Sequence, residues 1–285
     1  MPEIKTLVQD IYNRISTPEP FKKEDVSAFC EHLTTRLSER LAEERKGVKL
    51  WLSNLGSKCD RKLWYSVNEP EGAEPLPPAA RLKFLIGDIW EETLLFLARA
   101  AGHKVEGEQE RILIGDVSGR RDAIIDGRVV DVKSASTYSF RKFEEHSLDT
   151  DDPFGYIVQG ETYTVAGEDD PRITDKGKFS FLAGDKTLGH LTLDTYKVKK
   201  SRAEYEQLVL EKRKMLAGPL PPRGFSDEEQ NKSGNRVLGV ACSYCEHKKK
   251  CWPDVRTALY SGGPEFFTKV VKWPTNKFGP IKEVK

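Results

Sequence analysis

The sequence predicts an α/β (α+β) fold, a central mixed β-sheet flanked by helices. Three observations predict it: a long helical segment precedes the strands, an Asp-Gly pair folds two apolar runs back on each other, and further helical segments follow. A chain of 285 residues, 38% hydrophobic and 32% charged, can bury a sizeable core as one large domain or one domain with elaborations.

The opening residues MPEIKTLVQDIYNRIS carry no cationic segment followed by an apolar core, so no secretory signal is expected. No apolar run is long enough to cross a membrane, and a cytoplasmic location is the expectation. Next, FKKEDVSAFCEHLTTRLSERLAEERK sets Val26, Phe29, Leu33, Leu37 and Leu41 at helical spacing, with Cys30 expected in the core beside them. SKCDRKLWY reads as a short helix with Ser57 as its cap and Cys59 in its first turn. EPEGAEPLPP is a loop by composition.

From Pro78 to Ala101 a helix is predicted, stopped by Gly102, and its nearly all-round apolar character makes it central. Glu91 is the anomaly, a carboxylate whose angular neighbours are Phe84, Leu95 and Ala98. A strand over HKVEGEQERILI leads into the hairpin, and a helix from about Thr137 to His146 follows, entered from Ser136. In DDPFGYIVQGETYTVAGE, Asp152 can cap a helix with Pro153 at its first position, and Gln159 and Tyr163 then share one face. A second hairpin runs from FSFLAG through Asp185 to LGHLTLDTYKV, and Ser201 with Glu204 forms a capping box for the helix after it. Beyond PLPPRGF the chain reads as polar loop until VACSYCEHKKKCW, then as a tail rich in Lys, Phe and Pro. The expected divisions are a helical region (1–77), a core (78–217), a cysteine-bearing region (218–262) and the tail (263–285).

The hairpin RRDAIIDGRVVDVKSAS carries the chemistry. Asp126-Gly127 suits a two-residue type I′ turn, which needs positive φ at both positions. Counting back from it pairs Ile125 with Arg128, Ile124 with Val129, Ala123 with Val130, and Asp122 with Asp131. Opposed Cβ atoms lie about 4.5–5.5 Å apart, so the two carboxylates repel unless a cation lies between them. A divalent metal is the simplest remedy, and Lys133 projects on the same face as Asp131. The competing reading is an exposed hairpin with an acidic face. Both strands are apolar nearly throughout, which argues for burial.

Five cysteines in a reducing compartment read as metal ligands or core residues rather than disulfides. Cys242, Cys245 and Cys251 have the spacing C-x2-C-x5-C and can converge on one centre. Cys59 or His247 could complete it; four cysteines suit zinc or an iron-sulfur cluster, three with a histidine suit zinc. Lys248, Lys249 and Lys250 would offset thiolate charge or meet phosphate, unless they are simply a solvated loop. The oxygen set Glu91, Asp122 and Asp131 instead suits a hard cation such as Mg²⁺ or Mn²⁺. A net charge of +1 excludes a polycationic nucleic-acid coat and leaves room for local patches such as Lys197, Lys199, Lys200 and Arg202.

With these residues in place, GRRDAIIDGRVVDVKS resembles the core motif of the PD-(D/E)xK nucleases, with Asp122, Asp131 and Lys133 in its acid and lysine positions. Gly87 with Glu91 is similar to the upstream helix motif of the RecB-type branch, and Gln159 with Tyr163 to its downstream QxxxY motif. Cys59 with Cys242, Cys245 and Cys251 resembles the four-cysteine frame of the [4Fe-4S] exonucleases of that branch, CRISPR-associated and phage-encoded. The resemblance runs from about Cys59 to Trp252 in the family's order. It implies a restriction-endonuclease-like core, with the cluster joining N- and C-terminal segments. It further implies metal-dependent exonucleolytic cleavage of single-stranded DNA, often from the 5′ end, in end processing or recombination.

In that picture Glu91, Asp122, Asp131 and the carbonyl of Val132 hold Mg²⁺ or Mn²⁺, and Lys133 assists catalysis. Gln159 and Tyr163 position DNA or water, and Cys59 rather than His247 becomes the fourth cluster ligand. Many relatives carry histidine where this chain has Glu91, which bears on the choice between the two ions. DNA is the implied partner, with recombination proteins or a second copy of the chain as further ones, and no membrane partner is expected. The same core could serve a structure-specific endonuclease or a non-catalytic DNA-binding scaffold. Trp64, Tyr65 and Tyr163 could stack bases, but such residues are more often core.

Overall fold

The computed structural model describes residues 2–42 and 49–284. The helices are α1 (Leu7–Ser16), α2 (Lys23–Ala42), α3 (Leu52–Leu55), α4 (Asp60–Asn68), α5 (Pro78–Ala100), α6 (Thr137–Glu144), α7 (Tyr156–Ala166), α8 (Arg202–Leu216), α9 (Val240–Ser243) and α10 (Lys248–Cys251). The strands are β1 (Val105–Glu106), β2 (Arg111–Ile114), β3 (Val117–Arg120), β4 (Ala123–Ile125), β5 (Arg128–Ala135), β6 (Lys178–Asp185) and β7 (Leu191–Lys197), then β8 (Asp227–Gln230), β9 (Asn235–Leu238), β10 (Arg256–Tyr260), β11 (Gly263–Lys269), β12 (Thr275–Asn276), β13 (Gly279–Pro280) and β14 (Lys282–Val284). Two compact units result: one holds Leu50–Gly56 and Pro77–Lys212 with the N-terminal helices, the other Ser57–Leu76 and Arg213–Lys285.

The first unit is built on a mixed sheet in the order β1-β4-β5-β6-β7, in which β5 and β6 run parallel and the remaining pairs antiparallel. The parallel pair requires a crossover, which α6 and α7 provide. Side-chain alternation along β4 and β5 sorts the residues into two cores. Ile124 and Val129 face a cluster with α7 residues Tyr163 and Val165 and with Phe140 and Phe143 of α6. Ala123, Ile125, Val130 and Val132 face Leu7 and Ile11 of α1 and Leu94, Leu95 and Ala98 of α5. This double-sided burial is why both strands read as almost continuous apolar runs.

Several expectations change. The single strand over residues 103–114 is interrupted: Gly107 and Gln109 take positive φ (60° and 54°), and β2 pairs with β3 as a separate hairpin. The C-terminal half of α5 is central, but Leu82, Phe84, Ile86 and Ile89 in its first half are exposed. Helix α2 runs as predicted up to Ala42, whereas Cys30 is exposed rather than core, as are Val26 and Leu41. The remainder of that predicted helix, residues 43–46, lies outside the described residues. Helix α7 starts at Tyr156 rather than Pro153, because the Asp152 carboxylate accepts from the amides of Gly155, Tyr156 and Ile157. Gly155, at φ 79°, therefore stands at the N-cap, and Asp152 satisfies the first amides from upstream of it.

In the second unit the region expected to be loop and tail is a five-stranded antiparallel sheet, in the order β14-β10-β11-β9-β8. Ala258, Phe267 and Ile281 form its buried centre, with Val237 and Trp273 against them. Among the described residues no helix is long and apolar enough to cross a membrane.

An ion network around the buried Arg121 braces the approach to the hairpin. Arg121, 1% exposed, donates to Glu110 at 2.6 Å and Asp170 at 2.7 Å, and Arg172 bonds both acids as well. Hydrogen bonds from Arg172, joined by Arg121, hold both carboxyls below their usual range. A depressed carboxylate stabilises the fold above its unfolded pKa, about 4, and loses that contribution as pH falls through its folded value. The thermal midpoint is therefore expected to drop between pH 5 and 3 (about that window) more steeply in wild type than in Asp170→Asn. Parallel melting curves for the two proteins would contradict this.

Candidate active site

The predicted turn is present. Asp126 and Gly127 take φ values of 48° and 82°, and the register pairs Ile125 with Arg128, Ile124 with Val129 and Ala123 with Val130. The next pair in that count, Asp122 and Asp131, lies just past the ladder. There the Asp122 side chain turns to accept from the Val132 amide at 2.7 Å. Asp131 is 1% exposed and ion-paired to Lys133, and its Oδ2 has no hydrogen-bond partner among the described residues.

Helix α5 brings in Glu91, buried at 9% exposure. A close helix–sheet approach positions it, for a Cβ on Gly87 would lie 3.3 Å from Ser134 Oγ, at the far end of β5. Glu91 accepts from Gln109 Nε2 on one oxygen and from Arg36 at 3.1 Å on the other. Arg36 also reaches Asp88 at 3.3 Å and Gln109 at 2.9 Å, while Arg40 makes a two-pronged bond to Asp88. Neither Arg36 nor Gln109 was legible as a site residue, since nothing local in sequence links them to Glu91.

Helix α7 supplies the opposite side. Gly160 allows it to lie against β6, where a Cβ would meet the Phe179 ring at 2.2 Å. Lys133 donates to Gln159 Oε1 at 3.4 Å, and Gln159 Nε2 donates to the Tyr163 hydroxyl at 3.1 Å. The Lys133 ammonium also lies 4.7 Å from the centre of the Tyr156 ring, a contact the sequence did not suggest. Glu91, Asp122, Asp131, Lys133, Gln159 and Tyr163 are therefore neighbours, although they come from α5, the residue before β4, β5 and α7.

The electrostatics follow from three acids sharing one protein-lined space. Burial, then the Asp131 charge, pushes the Asp122 carboxyl up to about 7, although the residue is only half-buried. Burial and the Asp122 charge raise Glu91 well above the carboxylate range. Burial works against the Lys133 ammonium, but Asp131, with Tyr156 and Asp122, outweighs it and keeps the lysine protonated. Burial and the two aspartates likewise raise the Tyr163 phenol, which stays neutral. Such a set can hold a hard cation on oxygen and a proton on lysine at the same time.

The cysteines of the second unit form another cluster. Cys59, rather than Ser57, occupies the N-cap of α4, its sulfur accepting from the Lys62 amide at 3.4 Å. Cys242 lies in α9, Cys245 is buried beyond it, and Cys251 ends α10. Burial, with the nearby Cys59 and Cys251 charges, pushes the Cys242 thiol up to about 11, and burial takes Cys245 to about 12, with Cys59 again contributing. His247 is turned to other partners, its Nε2 lying 3.0 Å from Ser66 Oγ and its ring packed on Tyr65.

The lysine run is paired with acids rather than held free for phosphate: Lys248 and Lys249 meet Glu74, and Lys250 meets Glu69. Tyr65 and Tyr163 are buried, and Trp64 donates to the Gly218 carbonyl, so these aromatics are core or anchoring residues rather than base-stacking platforms. Lys199 of the other basic patch is bound to Asp149 at 2.7 Å.

Neither models of protein families nor curated proteins match the chain. One solved structure, described as the crystal structure of SSO0001, is similar at 16% sequence identity and a TM-score of 0.41, over 76% of this chain and 92% of that one.

Proposed function

We propose that the chain is a divalent-cation-dependent deoxyribonuclease of the PD-(D/E)xK type, which hydrolyses single-stranded DNA from a free end, in the 5′ to 3′ direction. The observation that carries the reading is the meeting of Asp122, Asp131 and Lys133 from one hairpin with Glu91 from α5 and with the Lys133–Gln159–Tyr163 hydrogen-bond chain. The donor set fits a hard cation. Two buried acids, Glu91 and Asp131, and the half-buried Asp122 face the two cations Lys133 and Arg36, and Asp131 keeps one buried oxygen unpartnered.

Glu91, Asp122, Asp131 and the Val132 carbonyl would hold Mg²⁺ or Mn²⁺, which when bound lowers the pKa of water and offsets phosphate charge. The chain's own groups do the positioning. Lys133, kept cationic by Asp131, can stabilise the negative charge that develops as water oxygen bonds to phosphorus and the ester oxygen leaves. Gln159 fixes the lysine's direction through its carbonyl and is itself anchored by Tyr163.

For the cysteines, we read the partner as a [4Fe-4S] cluster held by Cys59, Cys242, Cys245 and Cys251. The charges of Cys59 and Cys251 act on Cys242 and that of Cys59 acts on Cys245, which supports reading the four as one centre.

End-labelled linear and covalently closed circular single strands test the reading. With Mg²⁺ or Mn²⁺ the linear strand is expected to be degraded and the circle to survive. Nicking of the circle would make the chain an endonuclease, and binding without any product would make it a scaffold.

A further inference from the structure

His32 of α2, Glu92 of α5 and Glu108 from the turn between β1 and β2 bring one potential ligand atom each to within 4.8 Å of one another. We propose that these three side chains form a second metal site, for a borderline divalent cation of the zinc type, which fastens α2 to α5. The inference does not depend on the nuclease reading.

The distances are those of ligands around an ion rather than of hydrogen-bond partners. His32 Nδ1 lies 3.7 Å from Glu92 Oε2 and 3.6 Å from Glu108 Oε2. Hydrogen bonds of this type close to about 2.7–3.2 Å. Tetrahedral zinc with bonds of about 2.0–2.2 Å to nitrogen and oxygen spaces its ligand atoms at about 3.3–3.6 Å.

A second observation points into the same space. The Glu92 side chain is 2% exposed and that of Glu108 16%, and the Oε2 atoms of both lack a hydrogen-bond partner among the described residues. These are the same two oxygens that face His32. Each acid turns its other oxygen towards an arginine: Glu92 Oε1 lies 3.6 Å from Arg36 Nε, and Glu108 Oε1 bonds Arg99. Leaving an anionic oxygen buried and unpartnered is costly, and a cation between the two would remove that cost. His32, 43% exposed, provides a path for an ion from solvent.

One imidazole and two carboxylates, with room for a water as fourth ligand, match the nitrogen and oxygen preferences of zinc better than those of Mg²⁺. The consequence lies in α2. Arg36 is one turn beyond His32, so an ion on His32 secures the turn from which Arg36 reaches Glu91 and Asp88.

Full-length protein saturated with zinc and then desalted tests the site. The expected result is about one retained zinc per chain whose X-ray absorption shows only nitrogen and oxygen neighbours at about 2.0–2.2 Å. This zinc should be lost from His32→Ala and from the isosteric Glu108→Gln, with affinity at least about tenfold weaker, since even outer-sphere partners of a metal site are worth about 10- to 100-fold. It should persist in Asp131→Asn. Retention unchanged in both His32→Ala and Glu108→Gln, a sulfur-only shell at about 2.3 Å, loss in Asp131→Asn instead, or no retained zinc would each overturn the proposal.

Discussion

Asp131→Ala is expected to abolish Mg²⁺- or Mn²⁺-dependent DNA cleavage while leaving the fold and DNA binding largely intact. Three consequences of the substitution combine. The site loses its most deeply buried acid, with an oxygen that no donor satisfies. Lys133 loses the partner that keeps it protonated and aimed across the site. The charge balance also shifts, leaving Glu91 and Asp122 as the acids facing Lys133 and Arg36. A metal contact and an oriented cation together represent about 4 kcal/mol or more of transition-state stabilisation, or a rate loss of at least about 10³-fold.

The cost in stability is expected to be small, because removing one of several buried like charges relieves repulsion as well as breaking an ion pair. Far-UV circular dichroism and a melting curve on the same preparation separate lost chemistry from lost fold. Lys133→Ala is expected to lie between wild type and Asp131→Ala, since it removes the oriented cation and spares the acids. Cleavage by Asp131→Ala within a few-fold of wild type (about threefold, or less than 1 kcal/mol) would remove the hairpin from the active site.

What the sequence revealed follows from the range of the interactions involved. The pairing of β4 with β5 was legible because a two-residue turn and a side-chain period of two are local rules, and Asp126-Gly127 obeys both. Gln159 and Tyr163 were legible as one helix face for the same reason, and they do hydrogen-bond. The start of α7 was displaced because a cap can act from further upstream: Asp152 spans three amides from before Gly155. Arg36 and Gln109 were out of reach, since their bonds to Glu91 cross 55 and 18 positions and depend on how α2 and the turn after β1 pack. The C-terminal sheet escaped because its strands are short and separated by Gly, Pro and Lys, so alternation never runs long enough to stand out. Cys30 is exposed despite its helical spacing because periodicity along α2 identifies a face and not how much of that face is covered.

Protein purified without oxygen is expected to be brown, with a broad visible absorption and about four irons and four sulfides per chain, and both signals should fall to background in Cys251→Ser and Cys59→Ala. The large expected effect on folding comes from the size of the second unit's core. Its sheet cluster is centred on Ala258, Phe267 and Ile281, with Leu63, Tyr65, Leu216, Leu238 and Phe266 also buried, and the unit must hold Ser57–Leu76 against a segment over a hundred residues later (about that separation, for which loop closure is costly). Small cores commonly rely on a metal or cross-link for the remainder of their stability. A cluster on Cys59, Cys242, Cys245 and Cys251 would serve as that cross-link, because binding free energy that exists only in the folded state is folding free energy. Loss of one cysteine is therefore expected to add an early melting transition and to open residues 57–76 and 213–284 to proteolysis. The first unit, with two cores of its own on the faces of the β1–β7 sheet, should melt much as before. Limited proteolysis followed by mass spectrometry reads this directly. Stoichiometric zinc with no iron in oxygen-free preparations would replace the cluster with a structural zinc site, and resistance of Cys59→Ala to proteolysis across both segments would show that the cysteines do not hold the second unit together.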